Sequence, residues 1–320
     1  MEDPKFNFQA RVLASNQDKI RYKGASGGVI THITKYLFET GKINSAIGFK
    51  FMGIELFKPY LIDSFDSYNQ TGSVYHEINI YNFLKNNIDG IKSPILITCL
   101  PCQVRPIKRL MNRSAIDTVV ISLVCSNQLE KEATYYFLDK NNIDISKVKE
   151  FRYRGNGWPS GIQVKTDEKE YFFHNNNSKW IDVFHSQIFS LNRCLSCVDT
   201  FGLDADISIA DPWLKRYVEK DKIGASIVIA HTEAGENIVS MMIKTNSLNV
   251  IELLSSKDAV LSQKGTLIKK YIFKKYRKKF LKLMKLFRST LYKKYFFSFS
   301  RYHRYFFSKL IGVIKRYEKL

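Results

Sequence analysis

Apolar residues alternate between two kinds of stretch along the first half of the chain. Val29, Ile33 and Leu37 recur at helical spacing, after Gly24-Ala25-Ser26-Gly27-Gly28 and before a stop at Gly41. Ile43 to Phe51 reads as a strand and Tyr81 to Leu84 as part of a helix. Pro94-Ile95-Leu96-Ile97-Thr98 is a short continuous apolar run, the kind found in a buried parallel strand. A helix from Gln103 to Met111 follows, with Pro106 expected in its first turn, where a missing N–H is tolerated. Asp117 to Val124 repeats the buried-strand pattern, and a helix is expected from about Leu129 to Lys140. This alternation predicts an α/β fold, a doubly wound, mainly parallel sheet flanked by helices.

The pattern then changes. Gly155-Asn156-Gly157-Trp158-Pro159-Ser160-Gly161 is a glycine-rich loop. Ile162 to Lys165 and Tyr171 to His174 flank Asp167-Glu168-Lys169 as an inserted β-hairpin region. Ala205 to Ile209 and Ala225 to Ala230 return to strand character, and Thr232 to Lys244 to helix. Residues 1–20 read as a loosely ordered lead-in, 21–260 as one domain, and 264–320 as a basic helical C-terminal tail. No internal repeat is visible.

Charge alters this picture only at the tail. The 320 residues hold 50 Lys plus Arg and 30 Asp plus Glu. Nineteen of the bases lie in residues 264–320 with one acid, Glu318, leaving 31 bases and 29 acids in residues 1–263. The net charge of +20 therefore belongs to the tail, where 15 Phe and Tyr are interleaved with the bases. Such a segment suits an anionic membrane surface, to which each base adds ~1 kcal/mol. A partly disordered, solvated tail is the next reading, and nucleic acid the least. Met1-Glu2-Asp3-Pro4-Lys5 does not open a secretory signal. No apolar run reaches the ~20 residues of a membrane span. The expected location is cytoplasmic, with the tail as a peripheral contact on the inner membrane face.

Five cysteines are too few for a disulfide scaffold at this length, and in a reducing compartment clustered thiols serve metal or redox chemistry. Cys102 and Cys125 each follow a predicted buried strand, and the carboxyl ends of such strands form the ligand crevice of open α/β sheets. Cys194-Leu195-Ser196-Cys197 is a CxxC loop. Together they supply four soft ligands, suited to iron–sulfur or to zinc. Cys99-Leu100-Pro101-Cys102 has the spacing of a thioredoxin-type dithiol, whereas Cys99 alone reads as a small core residue.

The order of motifs resembles the beta subunit of coenzyme F420 hydrogenases and dehydrogenases. The wider relatives of that family include chlorophyll-ring reductases and proteins encoded near surface-polysaccharide genes. Matching segments are Arg21 with Gly24 to Gly28, Pro101-Cys102-Gln103, Cys125, and Phe151-Arg152-Tyr153-Arg154 with Gly157-Trp158. Then come Cys194 and Cys197, Ala205 to Trp213, and Gly224-Ala225-Ser226 to Glu236. Departures are Val74 where the family often has lysine, Ala25 in a serine run, Ala210 in a Gly-Asp pair, and Cys99 itself.

The resemblance implies FAD and one 4Fe-4S cluster, with Cys102, Cys125, Cys194 and Cys197 as cluster ligands. For FAD it implies Arg21, Ser26, Gly27, Gly28, Gln103, Gly157, Trp158, Asp211 and Trp213. Ser26, Gly27 and Gly28 at a helix start agree with that role, because bare backbone N–H groups there seat a pyrophosphate. Asp211 and Trp213 are expected to border the flavin. The expected function is that of an iron–sulfur flavoprotein oxidoreductase moving electrons between cluster and FAD, with use of coenzyme F420 itself left open. Its expected partners are an electron-donor protein such as a ferredoxin and a small-molecule substrate, for instance an intermediate of surface-polysaccharide assembly. The alternative is a metal-stapled, redox-silent scaffold recruiting partners to a membrane.

Overall fold

In the computed structural model, residues 8–175, 178–186 and 188–272 are described. The chain opens with β1 (Ala10–Ser15), α1 (Asp18–Lys23), α2 (Val29–Glu39), β2 (Ser45–Phe51), β3 (Phe57–Ile62) and α3 (Ile80–Asn86). The centre follows as β4 (Ile95–Cys99), α4 (Pro101–Arg113), β5 (Thr118–Leu123) and α5 (Glu132–Asp139). An insertion carries β6 (Val148–Arg152), β7 (Gly161–Thr166), β8 (Glu170–His174) and α6 (Lys179–Ser186). The chain returns through β9 (Ile207–Ala210), α7 (Lys215–Lys220), β10 (Ser226–Ala230), α8 (Glu233–Lys244) and β11 (Leu248–Leu254). It goes on into α9 (Ser256–Ser262), α10 (Lys264–Leu267) and a π-helical turn, Ile268–Ile272.

Eight strands form one sheet in the order β11-β1-β10-β9-β5-β4-β2-β3. Its centre, β9-β5-β4-β2, is parallel, and the strands outside that centre pair antiparallel. Strand alternation sends Ile95, Ile97 and Val120 to one face, under α3, α4 and α5. Leu96 and Ile121 go to the other face, against α2 and α8. Both faces are covered, which is why these strands read as continuous apolar runs. The expected hairpin is β7–β8, joined by β6 into a separate three-stranded antiparallel sheet.

Several expectations need correction. Residues 10–20 are not a loose lead-in: β1 lies between β11 and β10, and its Val12 and Leu13 are fully buried. Arg11 interrupts its apolar pattern because it reaches Glu236 on α8 through two bonds of 2.9 and 2.8 Å. Pro106 is not in a first turn. Helix α4 starts five residues earlier, at Pro101, where the Gln103 side chain accepts the Leu100 N–H at 3.1 Å. The tail boundary also moves. Residues 264–272 pack on the domain, with Leu267, Ile268 and Lys270 buried, and the rest of the expected tail lies outside the described residues.

Candidate functional site

Because β4 and β5 are parallel neighbours in register, Cys99 opposite Ser122, their carboxyl ends deliver Cys102 and Cys125 to one crevice. The CxxC loop arrives from the insertion side, with Cys194 in a short helical turn, Asn192–Leu195. All four thiols line one small cavity with Leu100, Arg193 and Lys270, and Cys99 is absent from its wall. The Gln128 N–H points at Cys194 Sγ at 3.4 Å. Buried Lys270 points its ammonium at Cys197 Sγ at 3.8 Å and donates to the Asp199 carbonyl.

These contacts sort the thiols. The Cys197 thiol is lowered to about 6, because it accepts a hydrogen bond from Cys102 and lies close to Lys270. Holding that bond, together with burial, pushes Cys102 upward. Burial first, with Cys194, Cys197 and Asp199 adding to it against Lys270, takes Cys125 up to about 12, and burial takes Cys99 to a similar value. Among the described residues no three Cys, His, Asp or Glu converge closely enough for a single metal ion. In a cubane each thiolate takes a different iron, so its four sulfurs stand apart around the cluster. The four thiols line one cavity with donors aimed at Cys194 and Cys197, a set that suits a cubane once Cys102 and Cys197, here within hydrogen-bond reach of each other, part to take different irons.

A second cavity, of about 830 Å³, begins at the turn before α2 and runs past the ends of β4, β5 and β9. It shares Leu100 and residues 125–128 with the cysteine cavity. Gly28, in the left-handed region at φ 72°, caps α2, and the first residues of that helix face the cavity. Their N–H groups have no intrahelical partner and present a positive end there. Beside that turn stands Arg154, 4% exposed, whose guanidinium donates to the Ala25 carbonyl at 2.6 Å and holds both oxygens of Asp211 at 2.7 and 2.9 Å. Burial lowers the Arg154 pKa, but Asp211 overrides burial, and the net direction is upward. Arg154 Nε has no hydrogen-bond partner among the described residues. The room, the helix start and the buried cation fit a dinucleotide such as FAD.

Ser26, Gly28, Gln103, Asp211 and Trp213 of the expected set line this cavity, and Arg21, Gly27, Gly157 and Trp158 do not. Those four brace the wall from behind. Arg21 Nε donates to the Gly224 carbonyl at 2.7 Å, and the Gly157 N–H donates to the Tyr22 carbonyl at 2.9 Å. Gly27 lies between β1 and β10, where an added Cβ would meet backbone atoms at 2.7 and 2.8 Å. Trp158 is buried, donates to Asp211 from Nε1 at 3.1 Å, and lies 5.1 Å from the half-exposed Trp213 ring. Sequence reasoning missed two cations as site residues. Arg154 stood only in the Arg-rich strand of the resemblance, and Lys270 was counted among the tail bases.

Residues 93–255 match the family described as the C-terminal part of the coenzyme F420 hydrogenase/dehydrogenase beta subunit. Residues 11–85 match the N-terminal part of that same beta subunit. A curated relative is the coenzyme F420-dependent sulfite reductase of Methanocaldococcus jannaschii, 24% identical over 271 residues. The match takes in 77% of this chain but 40% of that relative, so the chain spans less than half of its length. Among solved structures, a chain of the xenon-derivatised F420-reducing NiFe hydrogenase complex from Methanosarcina barkeri superposes with a TM-score of 0.64. That likeness, at 18% identity, covers 88% of this chain and 96% of the other, and it is one of fold.

Proposed function

Since the chain belongs to the coenzyme F420 hydrogenase/dehydrogenase beta-subunit family, a family of oxidoreductases, we propose that it is an iron–sulfur flavoprotein that passes electrons between a 4Fe-4S cluster and FAD. The observation that carries this reading is the wall shared by the two cavities. Cys125 borders the four-thiol cavity on one side and the 830 Å³ cavity on the other. When bound, the cluster supplies one-electron transfer and the flavin exchanges single electrons for hydride.

The residues of this chain hold and insulate those groups. Cys102, Cys125, Cys194 and Cys197 ligate the cluster, and the Gln128 N–H and the Lys270 ammonium donate towards sulfur. The start of α2 and Arg154 receive the phosphate-bearing part of FAD. Asp211 keeps Arg154 in place, and Trp213 forms an aromatic wall 5.7 Å from its guanidinium. The substrate class proposed with this function is a small molecule such as an intermediate of surface-polysaccharide assembly, and the donor a ferredoxin-like protein. Both have their support in the resemblance of the sequence.

Purification without oxygen, followed by a visible spectrum and assays of iron, sulfide and FAD on one sample, tests the proposal. The expected result is flavin bands over a broad cluster absorbance with about four irons per chain. A colourless protein carrying one zinc overturns it and restores the scaffold reading.

A further inference from the structure

Lys270 is 2% exposed, yet no carboxylate among the described residues lies within ion-pair distance of it. An ammonium withdrawn from water costs several kcal/mol unless an opposite charge faces it. What Lys270 faces is the four-cysteine cavity. Its Nζ lies 3.8 Å from Cys197 Sγ, and the Asp199 carbonyl, two residues on, holds it in that direction. The lysine belongs to the π-helical turn Ile268–Ile272, a rare form frequent at functional sites.

Its place in the chain bears on the point. The family match ends at residue 255. The segment after it, α9, α10 and the π turn, lies across both cavities: Ser262, Gln263 and Ile268 wall the larger and Lys270 the smaller. Gln263 Nε2 fastens the segment by donating to the Asp211 carbonyl at 2.8 Å. Arg193, inside the matched span, also lines the cavity but is paired with Glu77 at 3.1 Å, so the cation there without a carboxylate partner among the described residues comes from outside that span.

The geometry points to Lys270 as a positioning residue whose positive charge balances the four-thiolate site and raises the reduction potential of the cluster held there. This rests on reading the four cysteines as cluster ligands. Four thiolates leave a cubane net negative, and each added electron makes it more so. A fixed ammonium against one sulfur therefore favours the reduced form, since net charge and hydrogen bonds to sulfur set such potentials.

The test uses full-length protein prepared without oxygen, as wild type, Lys270→Met and Lys270→Arg. Iron and sulfide are counted, and the cluster midpoint is followed by EPR-monitored redox titration. In the expected result Lys270→Met keeps about four irons with a midpoint clearly below wild type, and Lys270→Arg stays near wild type. Iron lost from the methionine variant and retained in the arginine variant supports the same role, because both disturb packing and only one removes charge. A full cluster at unchanged potential in Lys270→Met overturns the inference, and so does loss of iron from both variants. Wild type without iron removes the cluster reading itself, a failure told apart because it precedes any substitution.

Discussion

Two residues show how burial turns a single side chain into a determinant of stability. Arg154 exposes 5% of its side chain and Asp211 17%, and their two-bond pair closes the wall of the larger cavity. Asp211→Asn leaves the guanidinium buried without its counter-charge, and breaking one side of such a pair costs roughly 3–5 kcal/mol. Urea unfolding of the purified variant measures this, and a loss below about 1 kcal/mol rules it out. His76 works through a proton it does not carry. Its Nε2 accepts the Phe57 N–H at 3.0 Å, and its Nδ1 faces the Glu77 carbonyl at 3.0 Å, which fixes the neutral tautomer. Burial lowers its pKa from 6.5 to about 4. The unfolded chain therefore takes the proton first as pH falls. Stability present above pH 6.5 is lost progressively towards pH 4, by roughly 3 kcal/mol. Unfolding free energy measured across that window should flatten in His76→Gln by the equivalent of about one proton, and equal slopes in the two proteins exclude the assignment.

At the scale of elements, the start of α2 is a tightly constrained point. Gly28 adopts φ 72°, and a Cβ there would meet the Ile20 carbonyl oxygen at 2.7 Å and Arg21 Cα at 2.9 Å. Gly28→Ala should cost roughly 1–3 kcal/mol and lower FAD content, read by thermal unfolding and flavin release. Full FAD occupancy with unchanged unfolding refutes this. The same helix was legible in the sequence because Val29, Ile33 and Leu37 keep one buried face. So were β4 and β5, whose burial on both faces leaves uninterrupted apolar runs. Edge strands were not legible. β3 carries Lys58-Pro59, tolerated because its outer edge has no partner strand among the described residues, and β11 turns Val250, Ile251 and Leu253 outward. At the site the four cysteines were readable, since soft ligands are scarce and strand ends place them. Arg154 and Asp211 meet across 57 positions of chain, a relation that local spacing does not carry. Lys270 sits among bases that read together as a solvated run, and only packing shows it to be buried.

Over the whole molecule, the packed domain runs on past 264, with Leu267, Ile268 and Lys270 buried. Three bases of the expected tail lie against the domain: Lys264 and Lys269 wall the larger cavity and Lys270 the smaller. Beyond Ile272 the sequence still holds 16 Lys plus Arg against the single acid Glu318. No helix among the described residues is long and apolar enough to cross a membrane. The membrane contact proposed for this segment draws on its charge, at ~1 kcal/mol per base, screened by salt over a Debye length of about 8 Å. Three chain lengths distinguish the parts. The full chain should pellet with anionic vesicles at low salt and be released at high salt. A chain ending at Ile272 should stay in solution yet keep the iron and flavin of the full chain. A chain ending at Ser255 loses the segment fastened by Gln263 and the ammonium facing Cys197, and should release both cofactors. Equal pelleting of the first two would exclude the tail as a membrane contact, and undiminished iron and flavin in the third would show that residues 256–272 do not close the site.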